Sequence, residues 1–550
     1  MGRNILKIIL ACLLILSFNY GGIQPASANG LPVLVGIYPT EVLSTNVGQI
    51  SAIDAWLGKP TVTLAGTFLN LDYTSTQIVG ELDAAWNAGY IPFVNLQTTA
   101  TAAQLASGTY DAQIINWANV YRSWSNSGQK RALIAPLQEM NGYWVNYGYD
   151  PTNFKLAYYR IFQIFQQQGV QRDWVAWVFA PNGWSAQGQE FENYYPGQSV
   201  VDAVGFSSFN FGGCKIGTGE YWDTYNDAYK PYLDRMSVMA PGKPIFITEI
   251  GTVAEGAPAG TSKDAWLADT LTNLAAYPGV RGWVYFNRTE VADTLDCVPN
   301  TDYRIYQDHY GMNYSGFKNT VTQSPYGHWG TTAPEVNNIM FNPPDGKFED
   351  VWPASAFSGL NSTWYTDWVY RLANSGITSG CRSDVINLPG TVPDITFNYY
   401  CPEDSVTRAQ MAVFLERGVH GSSYTPPPAQ GNVFSDIPVS YWAAKWIEQL
   451  SVDGITSGCG SQVYCPEGTV TRAQMAVFLL RAEHGTTYAP PAATGTKFTD
   501  IPADYWAAAW IEQLAKESIT AGCGGGKYCP EDPVTRGQMA VFLVKTFNLP

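Results

Sequence analysis

A (β/α)8 barrel followed by an all-α module of three repeats is the architecture this sequence predicts, and three observations predict it. Between residues 30 and 330, eight short apolar runs alternate with stretches of helical spacing. Beyond residue 345, one ten-residue phrase occurs three times at a fixed spacing of 64 residues. Between these regions, the segment 331–344 carries Pro334, Pro343 and Pro344 with little periodicity and reads as a linker. A chain of 550 residues is also too long for a single core, so two or more folding units are expected.

The strand-like runs are Val33 to Tyr38, Thr61 to Thr67, Ile91 to Leu96, Ala132 to Leu137, Trp174 to Phe179, Ala203 to Phe206, Ile245 to Thr248 and Gly282 to Phe286. Each is near-continuously apolar, as strands covered on both faces must be. Asp111 to Trp124 and Phe154 to Gln168 have the length and spacing of crossover helices. Such a barrel places its active site at the C-terminal ends of the strands.

The first 28 residues have the layout of a secretory signal. Arg3 and Lys7 precede an apolar run from Ile8 to Phe18, and Ala26-Ser27-Ala28 supplies a small-residue cleavage site. The run is too short for a permanent membrane span, and no transmembrane anchor is expected. Hydrophobic residues make up 46% and charged residues 14%, a globular composition that excludes a disordered chain. A net charge of −15 without a basic cluster excludes nucleic acid as a partner. The 19 Trp, 34 Tyr and 24 Phe supply flat amphipathic rings suited to stacking on sugars, although most must fill cores.

Val-Thr-Arg-Ala-Gln-Met-Ala-Val-Phe-Leu stands at 406–415 and 470–479, and at 534–543 with glycine for alanine. Each unit reads as helix, loop, helix, with units at 345–421, 431–485 and 495–550 and the barrel at 29–330. In the second unit Trp442, Trp446, Ile447 and Leu450 form an apolar stripe. Thr471 and Gln474 form a capping box that opens the following helix. Six cysteines pair by position within the units, Cys381 with Cys401, Cys459 with Cys465 and Cys523 with Cys529, and short spacing in an exported chain suggests disulfides. A metal site is the alternative, weakened by the lack of accompanying histidines. Cys214 and Cys297 form a further candidate pair.

Phe434-Ser435-Asp436-Ile437, Trp442, Gly454-Ile455-Thr456 and Val470-Thr471-Arg472-Ala473-Gln474 make these units resemble S-layer homology (SLH) domains. The resemblance implies a pseudo-threefold module that binds an anionic secondary cell-wall polymer, with Arg408, Arg472 and Arg536 holding the acidic group. A guanidinium in the first turn of a helix suits that task. Gln410, Gln474 and Gln538 stand where the family has glutamate, which preserves capping and leaves the ligand's identity open.

Glu139 and Glu249 fall at the C-terminal ends of the fourth and seventh strands, in Leu137-Gln138-Glu139-Met140-Asn141-Gly142 and Phe246-Ile247-Thr248-Glu249-Ile250-Gly251. A carboxylate following a buried strand is costly unless it faces a polar cavity. Retaining glycoside hydrolysis needs two carboxyl groups roughly 5–5.5 Å apart, and repulsion within a cleft helps to keep one protonated and one ionised.

These stretches, with Gly36-Ile37-Tyr38, Gly108-Thr109-Tyr110-Asp111, Trp174 to Asn182, Tyr194-Tyr195-Pro196-Gly197 and Asp302-Tyr303-Arg304, resemble glycoside hydrolase family 26. That family contains β-mannanases, mixed-linkage β-glucanases and β-1,3-xylanases. The resemblance implies Glu139 as general acid/base and Glu249 as nucleophile. Three positions depart from the pattern: Gln138 replaces a histidine, Ile134-Ala135-Pro136 lacks an upstream arginine, and Phe209 replaces a tyrosine that would hydrogen-bond the nucleophile. Trp144, Trp184 and Tyr285 are candidate sugar platforms or core residues. Gln138, Asn141 and Asn182 are candidate hydrogen-bonding groups to sugar hydroxyls, and turn stabilisation serves the two asparagines equally well.

The expected protein is therefore a secreted, surface-anchored endo-β-glycosidase whose partners are a polysaccharide and a wall polymer. Acid–base and covalent carboxylate chemistry calls for no metal or cofactor. The competing expectation is a weak or inactive barrel with a binding or envelope role, favoured by the three departures.

Overall fold

The computed structural model describes residues 32–212, 222–290, 301–327, 347–351 and 364–550. The expected signal segment, the 331–344 linker, Cys214 and Cys297 lie outside the described residues.

Eight parallel strands pair in sequence order and close into a barrel. They are β1 (Leu34–Tyr38), β2 (Val62–Asn70), β3 (Ile91–Gln97), β4 (Ala132–Pro136), β5 (Val175–Phe179), β6 (Ala203–Asn210), β7 (Ile245–Thr252) and β8 (Val280–Phe286). All eight expected strands are present. Crossover helices cover the outside: α1 (Leu43–Leu57), α2 (Ser75–Asn87), the short α3 (Ala102–Ala106), α4 (Asp111–Ser125), α5 (Pro151–Gln167), α6 (Tyr225–Ala228), α7 (Lys230–Met239), α8 (Lys263–Ala276) and α9 (Ser315–Val321). Their starts are written locally. Thr74 with Gln77 and Thr101 with Gln104 form capping boxes, and Asp150 caps α5 with Pro151 in its first turn. Each such cap is worth about 1 kcal/mol.

Alternation along the strands divides the core in two. Leu34, Tyr38, Leu64, Phe93, Leu133, Val178, Phe246, Val284 and Phe286 fill the barrel interior, while Val35, Ile37, Trp177, Ile247 and Trp283 face the helices. Gly66 on β2 leaves room for the Tyr38 ring, because a Cβ there would lie 2.4 Å from it.

β6 and β7 run four residues further than their apolar character suggests, to Asn210 and Thr252. Their ladder continues through polar residues that line the cavity. It slips once: Phe206 pairs Ile247, but Ser207 pairs Glu249, so Thr248 is extra. This bulge reverses the in–out alternation and turns Glu249 to the interior beside Ser207. Glu249 therefore lies within β7, not after it.

The C-terminal region is helical, with helices Thr366–Asn374, Arg408–His420, Ala444–Val452, Arg472–His484, Ala508–Lys516 and Arg536–Thr546. Capping boxes open the second helix of each copy at Thr407, Thr471 and Thr535. One continuous core spans all three copies. Trp442 departs from the expected stripe: it precedes its helix and is 59% exposed, and Trp364 and Trp506 at the equivalent positions are exposed too. Disulfides join Cys381 to Cys401, Cys459 to Cys465 and Cys523 to Cys529.

The first copy adds a feature to this helical plan. Its disulfide closes a separation of 20 residues instead of 6, and the added chain forms an antiparallel ribbon, Arg382–Ile386 with Ile395–Tyr399. Leu388, Val392, Ile395 and Phe397 from this insertion join the helix-side core of the barrel. Phe397 packs on Tyr159 of α5 at 5.3 Å between ring centroids. Arg160, gripped by both oxygens of Asp111, donates to the Pro389 carbonyl at 2.7 Å. Glu349 accepts from the backbone N–H groups of Gln198 and Ser199, in the loop that leads into β6.

Candidate active site

Both glutamates reach the same end of the barrel by different local routes. After β4 the chain turns through Leu137 and Glu139, both with φ near +57°. Left-handed backbone at two non-glycine residues costs of order 1–3 kcal/mol each. Hydrogen bonds to both neighbouring strands hold the turn, Leu137 N–H to Leu96 and Glu139 N–H to Ala180. Asn141 locks it further. Fully buried, its side chain donates to the Asn182 and Trp184 carbonyls and the Ser185 hydroxyl, and accepts from Asn182 N–H.

Glu139 accepts three hydrogen bonds. Asn182 Nδ2 lies 2.8 Å from Oε1, the Ser207 hydroxyl donates to the same oxygen, and Trp144 Nε1 lies 2.7 Å from Oε2. Glu249 is buried, with Asn95 Nδ2 donating to its Oε1 at 2.9 Å. The same amide donates to the Tyr38 hydroxyl, which in turn donates to the Thr248 carbonyl in the bulge. Burial raises Tyr38 well above the usual phenol value, and the charges of Glu249 and Glu139 raise it further. The Tyr147 phenol is raised by burial and by the same two carboxylates. Ser207 links the two carboxylates: its hydroxyl donates to Glu139, and its backbone stands beside Glu249 in the β6–β7 ladder.

The aromatic surroundings differ across the mouth. Trp144 and Trp184 stack with centroids 6.4 Å apart and are 44% and 50% exposed, while Tyr143 packs edge-on against Trp144. Phe209, Phe286 and Tyr303 form an apolar cluster on the other side.

These placements sort the expected residues. Trp144 and Trp184 are exposed beside Glu139, the first bonded to it. Tyr285 does not: it is buried on the outer face of β8, its hydroxyl donates to the Tyr303 carbonyl and its ring packs on Phe317. Strand alternation points Phe286 inward instead. Asn141 is consumed by the loop, and Asn182 serves Glu139. Gln138 is buried, with Nε2 3.4 Å from Gln97 Oε1 and its own Oε1 lacking a hydrogen-bond partner. Phe209 has no donor, and the Asn95–Tyr38 pair stands against Glu249 in its stead. Asn95 and Ser207 were missed. The signal available was a lone polar residue at an inward position near the end of an apolar strand.

Arg408, Arg472 and Arg536 are buried rather than solvated. Their Nε atoms donate to the carbonyls of Tyr464, Tyr528 and Tyr400, each in the next copy, so the third copy closes on the first. The tyrosine hydroxyls return hydrogen bonds to the arginine carbonyls. Each guanidinium keeps a buried Nη2 with no hydrogen-bond partner, and burial lowers each below the usual arginine value.

Barrel, paired glutamates and clasped repeats coincide with two recognised domains. Residues 74–243 match the family model of Glycosyl hydrolase family 26. Residues 497–540 match that of the S-layer homology domain. A domain of each kind is therefore present in the chain. Among relatives, a cellulosome-anchoring protein of Acetivibrio thermocellus is 33% identical over 126 residues, 22% of this chain and 26% of the relative. S-layer protein EA1 of Bacillus anthracis is 26% identical over 137 residues, 23% of this chain and 14% of that one. The chain thus spans about a quarter or less of the length of these relatives. A solved β-mannanase from a symbiotic protist of the termite Reticulitermes speratus is 15% identical, covers 57% of this chain and 96% of its own, and gives a TM-score of 0.39.

Proposed function

We propose that the barrel is a retaining endo-β-glycosidase acting on a β-linked polysaccharide, β-mannan or a related β-glucan. Three S-layer homology repeats, beginning near residue 345, hold it on an anionic wall polymer at the cell surface. The observation that carries the catalytic reading is Ser207, which donates to Glu139 and pairs in the ladder with Glu249, so that both carboxyl groups stand at one end of the barrel.

In this reading Glu249 attacks the anomeric carbon while Glu139 gives its proton to the departing glycosidic oxygen. Water, deprotonated by Glu139, then releases the glycosyl ester with net retention. Asn95 holds Glu249 in line for attack. Ser207 and Asn182 keep Glu139 against the leaving group, and the Ser207 hydroxyl can turn to accept when Glu139 is protonated. Trp144 and Trp184 provide stacking faces beside the acid/base, and the unpaired Gln138 Oε1 is suited to a sugar hydroxyl. The anchoring reading is supported by the unpaired Nη2 of Arg408, Arg472 and Arg536, whose buried positive charge suits an anionic ligand. No helix among the described residues is long and apolar enough to cross a membrane.

The test is reducing-sugar release from mannan, lichenan and xylan by native protein and Glu249→Gln. Native activity on one substrate is expected, with a loss of at least about 10³-fold in the variant. Nuclear magnetic resonance of the first product should show retained anomeric configuration. A second reading, a barrel that binds polysaccharide without cleaving it, is favoured by the apolar Phe209 and by Ile134-Ala135-Pro136. Folded native protein that retains the polysaccharides and releases no sugar would establish it.

A further inference from the structure

A cluster of ionisable side chains at the junction of the first two repeats has no part in catalysis or wall binding as read above. Glu416 and His420 lie one turn apart on the helix Arg408–His420 and share a face. Asp453 caps the C-terminus of the helix Ala444–Val452 in the next copy. His420 Nε2 lies 2.6 Å from Asp453 Oδ2 and 3.5 Å from Glu416 Oε2. One potential ligand atom from each of the three residues falls within 4.8 Å of the others.

The independent sign of a ligand is Glu416. Its side chain is 0% exposed, and neither carboxylate oxygen has a hydrogen-bond partner. Its nearest cationic group is His420 at 3.5 Å, beyond a good hydrogen bond, and a buried carboxylate held without close donors is unfavourable unless a cation or proton joins it. The surroundings are built to orient the other two groups. Gln449 Nε2 donates to Asp453 Oδ1 at 2.8 Å, and the Tyr424 ring lies on the His420 imidazole at 4.3 Å. A supporting hydrogen bond and a fixed ring plane are what ligating carboxylates and histidines require. The imidazole is about one-third exposed and leaves a path for entry.

We propose that Glu416, His420 and Asp453 bind one divalent first-row transition-metal ion of the zinc type, bridging the first repeat to the second. One imidazole and two carboxylates match such ions, and a fourth position remains for water. Calcium is a poorer fit, since it takes six to eight oxygen ligands. The next junction also brings three such groups together, His484 Nε2 lying 3.0 Å from Glu517 and 3.9 Å from Glu483, but none of them is buried. Leu480 occupies the place of Glu416, and Asn548 that of the histidine at the third junction. One tight ion per chain follows. Burial and the Asp453 charge also push Glu416 up to about 8, so a shared proton is the competing occupant.

The experiment uses the full mature chain without a histidine tag, stripped with chelator and dialysed. Zinc is added alone, with uptake followed by calorimetry and elemental analysis and stability by thermal melting. One zinc per chain and a midpoint raised by a few degrees are expected. His420→Asn and Glu416→Gln should each weaken binding at least tenfold, while His484→Asn should leave it unchanged. Cobalt should give visible absorption in native protein and lose it in His420→Asn. Should Glu416→Gln fail to fold, the partly exposed His420→Asn still decides the matter. An unchanged melting curve without zinc uptake would mean a shared proton only and would overturn the proposal, as would equal uptake by native protein and both variants of the first junction.

Discussion

Asn95 shows how a single amide can take over where an expected partner is missing. It reaches Glu249 from β3, on the opposite side from Phe209, and ties the carboxylate to Tyr38 in one gesture. A hydrogen bond to a charged group is worth about 1.5–3 kcal/mol. Asn95→Ala is therefore expected to lower kcat by about 10- to 100-fold with little change in KM, which steady-state kinetics on the preferred glycan would show, and to lower the melting temperature because Tyr38 and Glu249 lose a buried donor. The two glutamates were legible in the sequence because a charge at the end of a buried strand is conspicuous. Asn95 and Ser207 were not: a lone amide or hydroxyl in a strand is also common in sheet packing. Tyr285 illustrates the converse. An aromatic residue on a barrel strand faces inward or outward by parity, and β8 has a bulky aromatic on each face, Tyr285 on one and Phe286 on the other, both buried.

At the scale of elements, β7 carries the more instructive difference between sequence and structure. Eight strands were legible as apolar runs, yet the bulge that aims Glu249 was not. An extra residue in a ladder is visible only against the partner strand, here through the pairing of Ser207 with Glu249. The ribbon of the first repeat follows the same logic. The Cys381–Cys401 spacing is wider than that of the other two pairs, but it does not name the ribbon's partner, α5, more than two hundred residues away in sequence. Phe397 is the deepest-packed ring of that contact, and Phe397→Ala is expected to cost about 3 kcal/mol or more. Differential scanning calorimetry should show barrel and repeats melting together in the native chain and as two separated transitions in the variant.

For the whole molecule, the docking contact ties the first repeat to the side of the barrel. It uses the outer face of α5 around Arg160 and the loop leading into β6, the latter at the strands' N-terminal end, whereas Glu139 and Glu249 sit at the C-terminal ends. Small-angle scattering of the mature chain should accordingly fit one rigid particle, and Phe397→Ala should increase its maximum dimension.

The Arg536-to-Tyr400 contact has an arithmetic consequence. A linear stack could be shortened by a unit and merely end sooner, but a loop of three clasps has no terminal member. A protein stopped at residue 494 would leave Arg472 without Tyr528 and Tyr400 without Arg536 in one stroke, opening the shared core on two sides. Binding of a hydrophobic dye and loss of wall retention are both expected of that truncation, so copy number here is set by closure and two thirds of the assembly is not a smaller version of it.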